Sequence, residues 1–480
     1  MAHKILFIAP LPPPVHGSSM VSKYIKESTL IQESFDCDFV NLSTSRTMDE
    51  IGKGGLKKIF RFLGSLLTLL GKLLTHRYDL CYIAITCHGM GFLKDAPFAL
   101  LCKLFGRKLL LHQHNKGMSR DCNRWPYRWL MPLVYRNATV MLLSWHLYED
   151  ISAVVKREQV IVCPNGVPPL DDENLAAELR ATINVERGTR GHACVYDNDN
   201  ENDNLFKSTE FILGQQNLDT NSQNARIASL ACGHPDEMSN LTQTTQKTQN
   251  ISINTDNDTN IDSNSQNAHT QACACHPDGT VDCCLSTVDT ITDGAEPRLL
   301  FLSNLIVSKG IYVLLEACQR LKERGVAFHC DYVGGESKEV TGEQFRKAIA
   351  ERGLTDCVTY HGPQYGADKD RAFRRADIFV QPTFDDCFPL TLVEAMQYRL
   401  PIVSTDVGAI PDIVTDGVNG LVCKQQDVDS LVEALTTLLA DAALRREMGE
   451  RGHARYLKEM TLEAFEGSFA ELLKSVVCSV

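Results

Sequence analysis

The sequence lacks aromatic residues over a long internal stretch, because none occurs between Phe211 and Phe301. The surrounding segment, from Thr189 to Glu296, is instead rich in Asn, Asp, Thr, Ser and Gln. A segment of this composition cannot bury enough apolar surface to offset the entropy lost when its chain is ordered. We therefore expect residues 189–296 to form a disordered insert without a core of its own.

An excess of positive charge is also missing, since the chain has 60 acidic and 48 basic residues and a net charge of −12 at pH 7. The acidity is concentrated in the insert, where residues 197–296 include 16 acidic residues against 3 Lys or Arg. The two flanking parts are close to neutral, so the overall charge indicates nothing about their partners. We expect no nucleic acid among them.

The sequence opens with MAHKILFIAP, which has no long apolar run and places a proline directly after the first predicted strand. This pattern is unlike a secretion signal, so we expect a cytoplasmic protein with reduced thiols. Most of the scattered cysteines lie in apolar segments and are expected to be small core residues, as are Cys81, Cys102, Cys318 and Cys330.

The insert contains a duplication with an offset of 43 residues: NSQNA recurs at Asn221 and Asn264, and CGHPDE at Cys232 is echoed by CHPDG at Cys275. Two copies of a polar unit do not make a solenoid. A rival interpretation is a zinc site, although the spacing of the candidate ligands lacks the usual gaps of two to four residues. Those candidate ligands are Cys273, Cys275, His276, Cys283 and Cys284.

Short apolar runs alternate with helical stretches on both sides of the insert. KILFIAP, YDLCYIAI and KLLLHQHN mark the first part, and RLLFLSN, FHCDYVGG, VTYHGP, IFVQP and PIVST mark the second. This alternation favours parallel, doubly wound α/β sheets, and 480 residues suffice for two of them. Ligands of such sheets bind beyond the carboxyl ends of the strands.

The segment 382–407, PTFDDCFPLTLVEAMQYRLPIVSTDV, places two carboxylates around a predicted helix start. Asp386 lies in a loop, Pro389 suits the first helical position, and Glu394 falls in the second turn. Exposed N–H groups and the positive end of the helix dipole would lie between the carboxylates. This arrangement suits a sugar nucleotide, whose diphosphate needs donors and whose hydroxyls need carboxylate acceptors.

The segment 298–320, RLLFLSNLIVSKGIYVLLEACQR, reads as a strand, a polar loop and a helix with Lys309 and Gly310 at its start. A lysine there can neutralise the charge of a departing diphosphate, and the glycine permits close backbone approach. A lone Lys-Gly pair is weak evidence, because most such pairs are solvated helix starts. Its occurrence in the same α/β unit as the carboxylate motif strengthens it.

Together these residues resemble the retaining glycosyltransferase family 4. The resemblance is close over 298–439. It is weaker over 1–167, where it rests on a Pro/Gly loop and on the segments HQHN and PNGV. The resemblance implies a GT-B fold, with two doubly wound Rossmann-like α/β domains facing across a cleft and a long low-complexity insert in the interdomain linker. Two positions depart from the family: Asp386 stands where Glu is usual, and Asn304 where Arg is usual.

The implied organisation has five parts. They are an acceptor-binding domain at 1–168, a linker helix at 169–188, the disordered insert at 189–296, a nucleotide-sugar-binding domain at 297–455, and a C-terminal helix at 456–480 that packs back on the N-terminal domain.

The resemblance also implies site residues. The catalytic set is Lys309, Asp386, Glu394 and His114, and the donor-binding set is Gly17, Asn304, Lys309, His361, Gly362, Phe388, Leu390 and Glu394. Glu394 would bind the ribose hydroxyls and Asp386 the donor sugar. His114 matches the family's histidine better than His112, which we expect to pack or cap. No metal or cofactor is expected.

The implied function is that of a hexosyltransferase. It would move a hexosyl unit from a nucleotide-diphosphate sugar to a glycan or lipid-linked acceptor, with retention, in cell-surface polysaccharide synthesis. Two alternatives remain open: a sugar-nucleotide epimerase of the same fold, and a non-catalytic glycan-binding relative.

Residues 57–77, KKIFRFLGSLLTLLGKLLTHR, predict a helix with a wide apolar face and cationic ends. Polar residues interrupt its apolar sequence, so its continuous apolar length is shorter than a typical membrane span. One interpretation is a helix lying on the inner face of a membrane, which would make the protein peripheral there. The other is a helix buried between the sheet and its neighbours.

Overall fold

The computed structural model describes residues 3–13, 17–43, 55–170 and 296–479. Within that part, residues 169–170 are not helical, and the rest of the linker helix predicted at 169–188 lies outside it. The predicted insert, apart from residue 296, and the candidate zinc ligands also lie outside the described residues.

Apolar runs of the first part form a six-stranded parallel sheet with the order β2-β1-β3-β4-β5-β6. Every residue of its β3 strand is buried, as expected for a parallel strand whose two faces are both covered by helices. The strands are β1 (Lys4–Ala9), β2 (Asp36–Asn41), β3 (Leu80–Ile85), β4 (Lys108–Gln113), β5 (Thr139–Leu142) and β6 (Val160–Val162).

The described residues of this N-terminal lobe also form seven α-helices. They are α1 (Gly17–Glu27), α2 (Thr29–Ser34), α3 (Leu56–Thr75), α4 (Gly89–Leu104), α5 (Met118–Asp121), α6 (Tyr127–Tyr135) and α7 (Tyr148–Ile151). Short 3-10 turns occur at Trp145–Leu147 and Arg157–Gln159.

A second six-stranded parallel sheet forms the C-terminal lobe, with the order β12-β11-β10-β7-β8-β9. The two sheets confirm the prediction of parallel, doubly wound α/β architecture. The strands are β7 (Arg298–Leu302), β8 (His329–Val333), β9 (Val358–Gly362), β10 (Ile378–Gln381), β11 (Ile402–Ser404) and β12 (Gly420–Val422).

The helices of the C-terminal part alternate with these strands and then continue beyond them. They are α8 (Ile311–Glu323), α9 (Gly342–Glu351), α10 (Ala367–Arg375), α11 (Leu390–Gln397), α12 (Val428–Ala440), α13 (Ala442–Arg455) and α14 (Leu462–Cys478). Val307–Lys309 and Ile410–Asp412 form 3-10 turns, and Tyr456–Met460 a π-helical turn.

The last helix, α14, packs against the sheet of the N-terminal lobe. Phe469 is fully buried there, and its ring meets that of Tyr82 on β3 edge to face, with centroids 5.6 Å apart. Lys108 Nζ on β4 donates to the carbonyl of Val477 at 3.1 Å. The chain therefore crosses back from the C-terminal lobe and completes the core of the first.

Helix α3 lies at the surface of the N-terminal lobe. Only Leu69 and Leu73 are buried, whereas the side chains of Leu56, Phe60 and Leu67 are each about two-thirds or more exposed. Of the two interpretations left open for this segment, the helix buried between the sheet and its neighbours is therefore wrong, because its apolar residues exceed what its one packed face can cover. Among the described residues, none of the helices has the length and apolar character needed to cross a membrane.

The four cysteines singled out in the sequence, Cys81, Cys102, Cys318 and Cys330, are all fully buried with free thiols. They fill the cores of the two lobes as small apolar side chains, as expected.

Candidate functional site

The loop after β10 leads into helix α11 as the spacing of the two carboxylates predicted. Pro389 has extended dihedral angles and is the N-cap, so the helix begins at Leu390, one residue later than expected. No side chain caps this helix start. Its first N–H groups and the positive end of its dipole can therefore interact with an anion.

Lys309 approaches this loop from the turn between β7 and α8. Its Nζ lies 2.6 Å from Asp386 Oδ2 and donates to the carbonyl of Asp385 at 3.2 Å. Both side chains of the ion pair are mostly buried, with exposed fractions of 20% and 13%. Asp386 also accepts from Gln381 Nε2 at 3.3 Å and from the backbone N–H of Cys387 at 2.8 Å. These contacts fix the carboxylate beside the helix start.

At Gly310, the turn that carries Lys309 packs closely against the loop that carries Asp386. Its φ of 84° is left-handed, and a Cβ at this position would lie 2.1 Å from the carbonyl oxygen of Pro382. The backbone N–H of Phe384 donates to the carbonyl of Ser308 at 2.9 Å in the same contact. The absence of a side chain at Gly310 therefore lets its backbone lie against the backbone of the loop at Pro382.

Glu394 lies in the second turn of α11, as predicted, and has a partner that the sequence did not reveal. Its Oε1 lies 2.6 Å from Lys369 Nζ on α10. Its Oε2 is buried and has no hydrogen-bond partner. Burial and, to a smaller extent, the negative charge of Glu394 raise the pKa of Tyr24 on α1.

Two further predicted residues, Gly17 and Phe388, lie near the start of α11. Gly17 is the first residue of α1, and a Cβ there would be 3.9 Å from Leu390 Cδ1. Phe388 is buried in the core, with 7% of its surface exposed. Helices of both lobes therefore meet beside the carboxylate motif.

Asn304, which follows β7, accepts from the backbone N–H of Gly335 at 3.1 Å through Oδ1. The side chain joins the carboxyl ends of β7 and β8. In the described part of the chain, no hydrogen bond connects it to Lys309, Asp386 or Glu394.

His361 and Gly362, both predicted to bind the donor, are the last two residues of strand β9. His361 Nε2 lies 2.6 Å from Asp331 Oδ1, and Arg298 bonds the same carboxylate at 2.7 Å. Burial opposes ionisation of Asp331, but the hydrogen bonds from His361 and Arg298 outweigh it and lower its pKa. The His361 ring therefore belongs to a charged cluster on the sheet face. Gly362 has a φ of 77° and open space at its Cβ position.

The rings of the two histidines of the HQHN segment are in contact at a tilt of 41°, with centroids 4.0 Å apart. His112 is fully buried, and its Nδ1 lies 2.8 Å from the hydroxyl of Tyr82. His114 is half-buried in the loop after β4. His112 thus packs in the core, as expected, and the role of His114 at the site stays a prediction.

Residues 289–455 match the family model described as glycosyl transferases group 1. This part of the chain is a group 1 glycosyltransferase domain. Lys309, Asp386 and Glu394 all lie within the group 1 domain. The finer assignment to retaining family 4 stays a prediction.

Relatives of known name resemble a limited part of the chain. The amylovoran biosynthesis glycosyltransferase AmsK of Erwinia amylovora is 32% identical over 147 residues, which are 29% of this chain and 35% of the relative. A D-inositol 3-phosphate glycosyltransferase of Nocardia farcinica is 32% identical over 165 residues, 33% of this chain and 36% of the relative. The matches thus span about a third of the length of these curated relatives.

Two solved structures resemble the chain over nearly its whole length. The sucrose-phosphate synthase of Thermosynechococcus elongatus has a TM-score of 0.59 at 15% identity and covers 99% of both chains. The Anabaena protein Alr3699/HepE, crystallised with UDP, has a TM-score of 0.58 at 15% identity, covering 98% of this chain and all of its own. At 15% identity, the similarity to these two structures is evidence about the fold alone, and it confirms the predicted GT-B architecture.

Proposed function

We propose that this protein is a retaining hexosyltransferase that uses a nucleotide-diphosphate sugar and a glycan or lipid-linked acceptor. The observation that carries the proposal is the convergence of Lys309, Asp386 and Glu394 around the uncapped start of α11. Cations and free N–H groups suit a diphosphate, and carboxylates suit the hydroxyls on either side of it.

In this function, Lys309 and the N–H groups at Leu390 stabilise the charge that develops on the departing diphosphate. Such stabilisation by prearranged donors is commonly the largest single contribution to catalysis. Glu394 keeps one oxygen on Lys369, while its buried second oxygen, without a protein partner, accepts from the ribose hydroxyls. Asp386 accepts from hydroxyls of the donor sugar, and His114 contacts the donor sugar or its phosphate.

The reaction breaks the bond between the anomeric carbon and the phosphate oxygen and forms one to the acceptor oxygen on the same face. The leaving phosphate takes up the proton of the acceptor hydroxyl, so no side chain has to act as nucleophile or base. The protein has to hold the acceptor hydroxyl against the face of the sugar that the diphosphate leaves, and to neutralise the diphosphate.

The nucleotide and the acceptor are proposed from the relatives' names. HepE was crystallised with UDP and with UDP-glucose. AmsK is a protein of amylovoran biosynthesis, and a relative from Salmonella typhimurium, 25% identical over 190 residues, is described as a putative colanic acid biosynthesis glycosyltransferase. We therefore propose a role in cell-surface polysaccharide synthesis and UDP-sugars as the first donors to test.

The test is incubation with UDP-, GDP- and ADP-hexoses, each with and without glycan or lipid-linked acceptors. Release of the nucleoside diphosphate that requires an acceptor, with a product of retained anomeric configuration by NMR, would support the proposal. Isomerised donor without acceptor would identify an epimerase. Absence of both turnover and nucleotide binding would identify a non-catalytic glycan-binding relative.

We further propose that the N-terminal lobe contacts the inner face of a membrane, which suits a lipid-linked acceptor. Large apolar side chains are exposed on α3, beside the basic residues Lys57, Lys58 and Arg61. Helix α6 also packs on α4, as α3 does, and the segment around it exposes Trp125, Trp129 and Leu133. Tryptophan and cationic side chains are typical of surfaces that bind anionic lipid headgroups.

Cosedimentation with vesicles tests this contact. We expect binding to vesicles of phosphatidylglycerol and phosphatidylcholine, and weaker binding to phosphatidylcholine alone. The double variant Phe60→Ser, Leu67→Ser should lose most of it, while Leu457→Ser, at an exposed leucine of the C-terminal part, should not. Equal binding by both variants would contradict the proposal.

A further inference from the structure

A lysine of the N-terminal lobe, Lys116, reaches the same loop as Lys309. Its Nζ lies 3.2 Å from Asp385 Oδ1, and the backbone carbonyl of Asp385 accepts from Lys309 Nζ at 3.2 Å. One aspartate thus contacts two cations that come from opposite lobes. Asp385 directly precedes Asp386 in the loop that leads to α11.

A buried thiol in the same loop is affected by both cations. Burial and the charge of Asp386 raise the pKa of Cys387, while the charges of Lys116 and Lys309 both oppose that rise. Cys387 lies three residues before the first residue of α11. Both ammonium groups therefore lie near the point where we propose that the diphosphate binds.

The loop that carries Lys116 is fixed on both sides. Before it, Asn115 Oδ1 accepts from the backbone N–H of Cys87 at 2.9 Å. After it, Asp150 Oδ2 accepts from the N–H groups of Gly117 at 2.8 Å and Met118 at 3.0 Å. Because the neighbouring backbone is anchored, little entropy is lost when Lys116 binds a ligand.

The three ion pairs around the site differ in how firmly they are held. Lys309 with Asp386 and Lys369 with Glu394 are mostly shielded from water. Asp385, in contrast, is 60% exposed. An ion pair with so exposed a partner contributes little stability, so Lys116 can leave it for another anion at small cost.

We propose that Lys116 is a second diphosphate-binding residue, supplied by the N-terminal lobe, which exchanges Asp385 for a phosphate oxygen of the donor. This rests on the proposed function, in which the diphosphate binds at the start of α11. Two cations from two lobes neutralise more of the diphosphate charge than Lys309 alone. Because the donor then contacts both lobes, its binding favours the conformation in which the lobes are close together. The competing interpretation is an ion pair that only joins the lobes.

The test is calorimetric titration of UDP, then GDP and ADP, into the wild-type protein and the variants Lys116→Met, Lys116→Arg and Asp385→Asn. A charge-assisted hydrogen bond corresponds to about a tenfold or larger loss of affinity, which we expect for Lys116→Met. Lys116→Arg should bind within about threefold of wild type, since it keeps the charge. Asp385→Asn should bind at least as tightly as wild type, because it removes the anion that competes for Lys116. Lys347→Met, at an exposed ion pair on α9, controls for net charge.

The outcomes separate the two proposals. Lower affinity in Asp385→Asn, equal to that in Lys116→Met, would show a lobe-joining ion pair and overturn the role of Lys116. Unchanged affinity in Lys116→Met, with a loss in Lys309→Ala, would overturn it too and leave the proposed function intact. Binding of none of the three diphosphates to the wild-type protein would instead overturn the proposed function. Lys116→Gln provides a second neutral variant should Lys116→Met fold poorly.

Discussion

Lys309 and Asp386 form an ion pair of 2.6 Å, although 76 residues separate them in the chain. Strands β7 and β10 are neighbours in the sheet, so the residues that follow their carboxyl ends meet at one edge. Because the pair is mostly buried, removing either partner leaves the other charge uncompensated.

Replacing Lys309 by alanine should lower turnover by about 10² or more, the usual loss when one prearranged charged contact to the transition state is removed. Steady-state kinetics with donor and acceptor would measure it. Lys347→Ala, at an exposed ion pair with Glu351, should leave turnover unchanged. Asp386→Glu should also be active, because it keeps the charge that pairs with Lys309. A wild-type rate in Lys309→Ala would contradict the assignment of this site.

Glu394→Gln should also reduce turnover by about 10². The amide keeps the shape of the side chain but removes the charge that pairs with Lys369 and that we propose binds the ribose hydroxyls. The matched control is Glu447→Gln on α13, whose exposed partner Arg451 lies 2.6 Å away. Circular dichroism would show whether the fold is kept. Equal turnover in the two variants would mean that Glu394 has no role in the reaction.

Features that depend on local spacing could be predicted from the sequence. The loop, the helix start and the position of Glu394 in the second turn follow from helix geometry over eight residues. The parallel sheets followed from the alternation of apolar runs with helical stretches. Pro389 was predicted at the first helical position but is the N-cap. These two positions differ in their dihedral angles, which the sequence does not show.

Contacts across the fold could not be predicted in the same way. Lys369 lies among five other charged residues in α10, and nothing in ADKDRAFRR distinguishes the lysine that pairs with Glu394. Lys116 was visible in HQHNKG, but its partner belongs to the other lobe. The contact of His361 with Asp331 depends on the register of β8 and β9, which shifts irregularly at Tyr332 and Val333.

Gly310→Ala should destabilise the protein strongly, by about 3 kcal/mol or more. The new Cβ would meet the carbonyl of Pro382 at 2.1 Å, in addition to the cost of the left-handed backbone. Gly325→Ala is the matched control, because its φ is 72° but no atom lies within 4 Å of the Cβ position. It should cost only about 1–2 kcal/mol. Urea unfolding would measure both, and equal losses would show that the Pro382 contact adds nothing.

His112 should make stability depend on pH. Burial, with a smaller effect from the charge of His114, lowers its pKa well below the ordinary 6.5. The folded protein therefore keeps His112 neutral, whereas the unfolded chain takes up a proton below about pH 6.5. Since the unfolded state then binds more protons, stability falls as the pH falls, by about 1.4 kcal/mol per pH unit from this residue. Above pH 7 its contribution should not vary.

The variant His112→Gln isolates this contribution, because its amide can form a hydrogen bond with the Tyr82 hydroxyl while the titrating group is gone. Urea unfolding of both proteins between pH 5 and 8 gives the difference in their free energies of unfolding. That difference should be constant above pH 7, and below pH 6.5 it should shift in favour of the variant. Only the change with pH matters, since a packing defect in the variant alters the difference equally at every pH. A difference that stays constant from pH 8 to pH 5 would show that the folded protein accommodates a protonated His112.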